Sequence, residues 1–273
     1  MTLWGIEIDD SLLKREELEF LSRYSNSSRP DVHLIWRIMD DVWDQVGLND
    51  REQFMQSKIS DFYSHPVWLL NGVFTATDPE SVGHRKAIAK YIRDRGFKKV
   101  ADFGGGFGSL ACEIAQTCPD VTIDIVEPYP SKIGVHRTSD YKNVAFVSKL
   151  SSTYDCIVAQ DILEHVPDPI KLASELAEHA TSDGHLIFAN CFYPVIKCHL
   201  PETFYLRRTF SWVVKPLALK YMGVIDGCEH ANIFVRTLKG PQLATARNRE
   251  TLARVIGTFL NRAQSFIKRD SKA

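Results

Sequence analysis

The chain has 273 residues, which is enough to bury a full core in one large domain with an appended cap. A hydrophobic fraction of 44%, a charged fraction of 25% and a net charge of −1 are ordinary for a soluble protein and do not support a nucleic-acid partner. No apolar run approaches the ~18 residues of a membrane-crossing helix, and the acidic N-terminus lacks the features of a signal peptide. The six scattered cysteines form no C-x-x-C pair, so we expect reduced thiols in a cytoplasmic protein.

Residues 1–77 are predicted to form an N-terminal helical cap. A first helix is expected to start at Ser11, because leucines follow it at helical spacing. Asp31 is expected to open a second helix, since aspartate commonly caps the first turn. Gly47 and Asn49 are expected to close that helix.

Two further helices are predicted in the cap, over Arg51–Tyr63 and from Val67 to Phe74. Their aromatic residues recur at helical spacing, which favours simple packing between helices. The alternative is that Trp68, Asn71 and Phe74 line a substrate pocket as a lid.

The next helix is predicted to start at Asp78-Pro79 and to end at Gly96, since proline is tolerated in the first helical turn. His84 and Arg85 are expected to be solvated on this helix. The alternative is that Ser81, His84 and Arg85 face a ligand bound near the glycine turn that follows.

A glycine-rich turn follows the first buried strand and precedes a helix. Gly104, Gly105, Gly106 and Gly108 leave the backbone open to a ligand, and the helix start offers unpaired N–H groups. The spacing is G-x-G-x-G and not the G-x-G-x-x-G of dinucleotide-binding proteins. Asp102 precedes the turn and would oppose a pyrophosphate, so it favours a cationic ligand.

Apolar runs alternate with helix-length segments through the middle of the chain. The expected strands are Lys98–Phe103, Val121–Val126, Val144–Val147, Cys156–Ala159 and His185–Asn190, and the expected helices are Ser109–Cys118, Tyr129–Arg137 and Pro169–His179. This alternation predicts an α/β fold with a parallel sheet and helices on both faces.

After the fifth strand, Cys191–Pro201 is predicted to be a loop and Glu202–Lys215 a helix. Lys220–Ile225 and Asn232–Thr237 are expected to form strands six and seven. The tail, residues 239–273, is predicted to be a basic amphipathic helix from about Leu252. Three alternatives stay open for this helix: it packs on its own domain, joins two subunits of a homodimer, or lies on an anionic membrane.

Several motifs together resemble the class I S-adenosylmethionine (SAM) dependent methyltransferases. These are the glycine turn, Glu127 after strand two, the segment Asp161–Pro169 (D-I-L-E-H-V-P-D-P) and Asp183–Asn190 (D-G-H-L-I-F-A-N). The Asp161–Pro169 segment is similar to the "D-x-L-E-H-V-x-D-P" segment of the quinone-biosynthesis-type branch. The resemblance covers residues 80–237 and implies a Rossmann-like, seven-stranded, mostly parallel sheet whose last two strands form an antiparallel pair. It also implies a core domain over residues 78–238.

The resemblance implies where SAM binds in this sequence. Glu127 is expected to accept hydrogen bonds from both ribose hydroxyls, because its two oxygens match a vicinal diol. The full set of expected cofactor-binding residues is Asp102, Gly104, Gly105, Gly106, Gly108, Glu127, Pro128, Ser148, Gln160, Asp161 and His165. Ser148 is included because no acid follows strand three, where related proteins carry one near the adenine.

Methyl transfer to an alcohol needs a base, and histidine suits this role near neutral pH. His199, in the loop after strand five, is the favoured base or acceptor ligand, with Tyr193 and Tyr205 close in sequence. His165 is the second candidate, and its alternative is a structural role. No metal is expected, because no second cluster completes a site with Asp161, Glu164 and His165.

The predicted function is methyl transfer from SAM to a small-molecule acceptor, which leaves S-adenosylhomocysteine as the other product. Transfer to oxygen is favoured over nitrogen or carbon, in secondary-metabolite or surface-sugar biosynthesis. Arg207 and Arg208 would hold an acidic group of the acceptor or lie on a solvated face. The alternatives are a SAM-fold cyclase or decarboxylase, and a SAM-binding partner protein without catalysis.

Overall fold

A computed structural model describes residues 1–48 and 56–270 of the chain. The chain forms two compact units, one of Met1–Leu150 with Asp226–Cys228 and the other of Ser151–Ile225 with Glu229–Ala273. The predicted domain boundaries after residues 77 and 238 stay predictions. All six cysteines are present as thiols, as expected.

The N-terminal part of the first unit is helical, as predicted, but it starts with a small hairpin. The hairpin pairs β1 (Thr2–Leu3) with β2 (Ile6–Glu7), and the helices are α1 (Arg15–Ser22), α2 (Val32–Val46), α3 (Gln56–Tyr63) and α4 (Val67–Thr77). The predicted helix start at Ser11 is wrong. The Asp9 carboxylate accepts the Ser11 N–H and caps a single 3₁₀ turn, and the extended backbone at Leu13 then ends that turn.

Helix α2 has the predicted ends. The Asp31 side chain accepts a hydrogen bond from the Leu34 N–H, and Gly47 ends the helix in the left-handed region at φ 76°. The predicted start of the third helix at Arg51 and the closing residue Asn49 lie outside the described residues.

The aromatic residues of the cap pack on one another. Trp68 stacks on Tyr63 with ring centroids 5.1 Å apart, and it meets Phe62 edge-on at 5.5 Å. Phe74 is 3% exposed and contacts Trp4 edge-on. These contacts agree with packing between helices, and the lid stays a prediction.

Helix α5 (Pro79–Arg95) starts and ends as predicted, with the Asp78 side chain accepting from the Ser81 N–H and Gly96 in the left-handed region. The expectation that Arg85 is solvated is wrong, since Arg85 is 8% exposed. Its guanidinium group donates to the carbonyl oxygens of Thr75 at 2.8 Å and Ala76 at 3.2 Å. Arg85 therefore satisfies carbonyls in the last turn of α4 that have no intrahelical partner.

The sheet strands of the first unit are parallel. They are β3 (Lys99–Phe103), β4 (Thr122–Val126) and β5 (Val144–Val147), separated by α6 (Ser109–Thr117) and α7 (Lys132–Thr138). Asp102 pairs with Ile125 in the β3–β4 register, and Ile125 pairs with Phe146 in the β4–β5 register. These elements agree with the predicted ones to within a few residues.

The other sheet elements are β6 (Tyr154–Gln160), α8 (Pro169–His179), β7 (Ala180–Ala189), β8 (Leu219–Ile225) and β9 (Cys228–Arg236). Strand β7 is parallel to β6 and antiparallel to β9, and it begins at Ala180, before the predicted start at His185. The sheet order is β5-β4-β3-β6-β7-β9-β8. The predicted α/β class, with a seven-stranded and mostly parallel sheet flanked by helices, is confirmed.

The predicted helix over Glu202–Lys215 is wrong. The segment forms a 3₁₀ stretch (Pro201–Arg207), the short helix α9 (Phe210–Val214) and a 3₁₀ turn (Lys215–Leu217). The Thr209 N–H donates a hydrogen bond to the carbonyl oxygen of Leu206, three residues earlier, as in a 3₁₀ helix. The Thr209 hydroxyl donates to the Tyr205 carbonyl oxygen.

The C-terminal helix α10 (Leu243–Asp270) begins before the predicted Leu252. It packs on its own unit, because Glu250 is 6% exposed and accepts hydrogen bonds from the Tyr205 hydroxyl, Arg247 and Arg254. The two alternatives for this helix, contact with a membrane and a homodimer, are not tested by this packing. No helix in residues 1–48 and 56–270 is long and apolar enough to cross a membrane.

Replacing Arg85 with methionine is expected to lower the free energy of unfolding by about 2 kcal/mol, because the carbonyl groups at the end of α4 lose a charged donor. Urea unfolding measures this change. Lys86→Met, at an exposed position of the same helix, is the matched control and should change stability little. An equal loss in both variants would contradict this role of Arg85.

Candidate active site

The glycine turn follows β3 directly and is held at both ends. The Gly104 N–H bonds to the Val126 carbonyl at 2.8 Å, and the Gly108 N–H bonds to the Gly105 carbonyl at 2.8 Å. Gly104, Gly106 and Gly108 have φ angles of 74°, 48° and 75°, a region that L side chains rarely adopt. Glycine is therefore required here for the backbone path as well as for an open surface.

Asp102 lies beneath this turn. It is 3% exposed, and a Cβ atom at Gly105 would lie 2.5 Å from its Oδ2 atom. The carboxylate accepts a hydrogen bond from the backbone N–H of Ala111 in α6, yet Oδ2 has no hydrogen-bond partner among the described residues. A buried acid with an unsatisfied oxygen fits a site whose ligand brings positive charge.

Burial raises the pKa of Asp102 to about 7, and the negative charge of Glu127 adds to the rise. A cation bound at the turn would oppose both effects, because it favours the charged form of the carboxyl group. SAM carries a sulfonium and an ammonium, so the residues present fit it better than they fit a pyrophosphate.

Glu127 follows β4 and closes over the turn. Its Oε2 atom accepts from the Gly106 N–H at 3.1 Å, and its Oε1 atom accepts from the Tyr129 N–H at 2.9 Å. Burial raises the pKa of Glu127. Each carboxylate oxygen has a second lone pair, so the backbone bonds fix the group while leaving acceptor capacity for a ribose diol.

Helix α4 of the cap also contacts the turn. A Cβ atom at Gly72 would lie 2.7 Å from the Cβ atom of Phe107, so a larger residue at this position would collide with Phe107. The Arg137 guanidinium lies 4.9 Å from the centroid of the Phe107 ring. Pro128 and Ser148, the other expected cofactor contacts of this unit, are exposed.

In the second unit, β6 ends at Gln160 and the chain turns sharply at Asp161, which has a φ of 52°. The Asp161 N–H bonds to the Ala189 carbonyl at 2.7 Å, so the turn is tied to the end of β7. Asp161 is exposed, and the partial loss of hydration beside the surrounding protein raises the pKa of its carboxyl group. A non-glycine residue at positive φ is a strained position, which is common at functional sites.

Glu164 lies in the short turn that follows and is fully buried. Its Oε1 atom accepts the Cys191 N–H at 2.5 Å, and its backbone carbonyl accepts the Leu200 N–H at 2.8 Å. These two bonds connect the turn to the loop after β7. Burial and the nearby Asp161 charge raise the pKa of Glu164 to about 8.

His165 and His199 meet edge-on, with ring centroids 4.9 Å apart. The Nδ1 atom of His165 lies 3.0 Å from the Cys198 carbonyl oxygen, and that of His199 lies 3.0 Å from the Tyr193 carbonyl oxygen. Burial and His199 lower the pKa of His165 to about 3, so His165 stays neutral near pH 7 but is a weak base.

The predicted grouping of Tyr193, His199 and Tyr205 is only partly present. The backbone carbonyl of Tyr193 orients His199. The Tyr193 side chain is 40% exposed, and the Arg207 guanidinium stacks over the Tyr193 ring, 4.4 Å from its centroid. Tyr205 does not join the group through its hydroxyl, which donates to Glu250 at 2.6 Å. The exposed Arg207 and Arg208 agree with the solvated alternative.

The sequence groups Glu164 with His165 and Asp161 as possible metal ligands, and it does not predict that His199 joins Glu164 and His165. The ligand-capable atoms of all three lie within 4.8 Å of one another. The local signal was present in the Glu164-His165 pair, but the conformation of the 191–200 loop decides that His199 completes the group.

Comparison with known proteins identifies the domain. Residues 82–236 match the family model described as a methyltransferase domain, which is more than half of the chain, so the chain belongs to this methyltransferase family. The resemblance to the class I methyltransferases is confirmed, and SAM is the cofactor of the domain.

Curated relatives match only in part. A malonyl-(acyl-carrier protein) O-methyltransferase from Halalkalibacterium halodurans is 28% identical over 142 residues, 47% of this chain and 48% of the relative. A ubiquinone biosynthesis O-methyltransferase from Yersinia enterocolitica is 26% identical over 150 residues, 51% of this chain and 56% of the relative. The chain thus spans about half the length of these relatives. The crystal structure of TnmH has a TM-score of 0.52 at 13% identity, covers 74% of this chain and 67% of that one, and shows the likeness of fold alone.

Asp102→Asn is expected to stabilise the ligand-free protein at high pH. The folded carboxyl group keeps its proton up to a pH of about 7, whereas the ordinary pKa is 3.8, so the folded state binds more protons between these values. The stability of the wild type therefore falls as pH rises through this window. Between pH 5 and pH 8, the variant should gain about 2–3 kcal/mol relative to the wild type.

Urea unfolding at both pH values, without SAM, measures this gain. Asp120→Asn, at an exposed turn position, is the matched control and should show no comparable dependence on pH. If Asp102→Asn changes the free energy of unfolding by the same amount at pH 5 and at pH 8, the raised pKa of Asp102 is contradicted.

Proposed function

We propose that this chain is an enzyme that transfers a methyl group from SAM to an oxygen atom of a small-molecule acceptor. The observation that carries the proposal is the buried Asp102 carboxylate with an unpartnered oxygen beneath a turn without side chains. That arrangement complements a cationic nucleoside. Oxygen is preferred as the acceptor atom because both curated relatives described above are named O-methyltransferases.

The first unit supplies the residues proposed to hold the cofactor. The Glu127 carboxylate is fixed by two backbone N–H groups and would accept hydrogen bonds from the ribose hydroxyls. The Asp102 charge would stabilise the cationic end across the turn, because burial reduces screening by water. When bound, SAM supplies an activated methyl group on its sulfonium, so the protein must mainly orient the partners and handle a proton.

His199 is proposed to remove the proton of the acceptor hydroxyl as methyl transfer proceeds. Its Nδ1 atom is held by the Tyr193 carbonyl, which leaves Nε2 of the neutral ring as the basic nitrogen. His165 is less suited to this task, since its pKa of about 3 lies far below the working pH. His165, Tyr193, Gln160 and Asp161 stay predicted site residues.

Glu127→Gln is expected to weaken SAM binding by about 1–3 kcal/mol, because one charged acceptor of the ribose is lost. Isothermal titration calorimetry with SAM measures the change. Glu80→Gln, an exposed glutamate in the first turn of α5, is the matched control. Equal affinities for the wild type and Glu127→Gln would overturn the ribose assignment.

His199→Ala is expected to keep SAM affinity and to lose methyl transfer by roughly 10²-fold or more, as removal of a general base does. Turnover is measured by mass spectrometry, with the full chain, SAM and a panel of phenols and alcohols. An acceptor that gains a methyl group supports the proposal. Full activity of the variant on that acceptor would eliminate His199 as the base, and a wild-type product without an added methyl group would overturn O-methylation.

A further inference from the structure

The turn after β6 and the loop after β7 bring three metal-ligating side chains together. The ligand-capable atoms of Glu164, His165 and His199 all lie within 4.8 Å of one another, a spacing that allows one ion to contact all three. The prediction that no metal binds depended on the lack of a second ligand-bearing segment. The loop that carries His199 supplies that segment.

Both histidines are oriented by backbone carbonyls. The Nδ1 atoms of His165 and His199 each lie 3.0 Å from a carbonyl oxygen, of Cys198 and Tyr193 respectively. A carbonyl oxygen can only accept, so Nδ1 carries the proton and Nε2 of each neutral ring has the lone pair. Metal-binding histidines are held in this way, with the second ring nitrogen donating to a carbonyl or a carboxylate.

Glu164 provides a second, independent observation that points to a cation. The residue is fully buried, and its Oε1 atom is used by the Cys191 N–H. Its Oε2 atom has no hydrogen-bond partner within the part of the chain that the structure describes. A buried carboxylate oxygen without a partner is costly, and a bound cation would remove that cost.

We propose that Glu164, His165 and His199 bind one divalent first-row transition-metal ion. Two imidazole nitrogens and one carboxylate oxygen suit Zn²⁺, Mn²⁺ or Fe²⁺, whereas Mg²⁺ and Ca²⁺ prefer sets of oxygen ligands. Three protein ligands leave coordination positions for water or substrate oxygen.

The site has a consequence for the reaction, which rests on the proposed methyl transfer. An acceptor hydroxyl at an open coordination position would lose its proton more easily, because the cation lowers its pKa. With the ion bound, His199 would be a metal ligand and the proton of the acceptor hydroxyl would pass to solvent water. The base role proposed above for His199 applies to the chain without the ion. Metal binding itself is measured without SAM or acceptor, so the two proposals fail separately.

Zn²⁺ is the probe, titrated calorimetrically into the chelator-treated full chain. We expect one Zn²⁺ ion per chain, and an affinity roughly 100-fold lower in Glu164→Gln and in His199→Asn. His179→Asn is the matched control, since His179 also has its Nδ1 atom near a backbone carbonyl, that of Ser152 at 2.8 Å, but lies outside the cluster. That control should bind Zn²⁺ like the wild type.

Thermal unfolding of each variant shows whether it is folded, and His199→Asn replaces Glu164→Gln if the buried glutamine prevents folding. A wild type that binds no Zn²⁺, or folded cluster variants with wild-type affinity, would overturn the site. With an acceptor found, turnover that is lost on chelation and restored by Zn²⁺ supports the catalytic role. Unchanged turnover after chelation would overturn that role while leaving methyl transfer in place.

Discussion

The buried Asp102 carboxylate, which has one oxygen without a hydrogen-bond partner among the described residues, determines the structure around the glycine turn of the first unit. Asp102 occupies the space beneath the turn, and one of its oxygens is used by the Ala111 N–H at the start of α6. Gly105 has to be glycine because a side chain there would collide with that carboxylate. Glu127 then meets the same turn through the Gly106 N–H, which brings a second acid near the first. This arrangement favours a cationic ligand and lowers the stability of the ligand-free fold.

Elements whose limits are set by neighbouring residues could be predicted from the sequence. Helix α2 is fixed by its Asp31 cap and by Gly47, and strand β5 has the predicted limits because four apolar residues lie between polar segments. The 201–217 segment could not be predicted, because its 3₁₀ geometry depends on residues far along the chain. Tyr205, for example, is held by Glu250 of α10. The spacing of apolar residues within the segment does not predict a contact with a residue so far along the chain.

The candidate residues of the first unit and those of the second unit differ in the same way. Asp102, the glycines and Glu127 follow from spacing, because strand ends and turns place them within a short stretch. The meeting of His165 and His199 depends on a loop that bonds Leu200 to the Glu164 carbonyl. Arg85 shows the same limit, since a charged residue on a helix is normally solvated and only the carbonyls of α4 explain its burial.

Asp102 and Glu164 are buried carboxylates with the same pattern of hydrogen bonds. In each, one carboxylate oxygen is anchored by a backbone N–H, and the other has no partner among residues 1–48 and 56–270. The anchor fixes the direction of the group, and the unsatisfied oxygen stores a penalty of about 1–3 kcal/mol that a suitable ligand removes. Because a positive charge offsets this penalty more strongly than a neutral hydrogen-bond donor does, each ionised carboxylate favours a cation over a neutral ligand of the same shape. The groups around each acid decide which cation fits it. Glycines and the Glu127 carboxylate near Asp102 suit a cationic nucleoside, whereas the two imidazoles near Glu164 suit a metal ion.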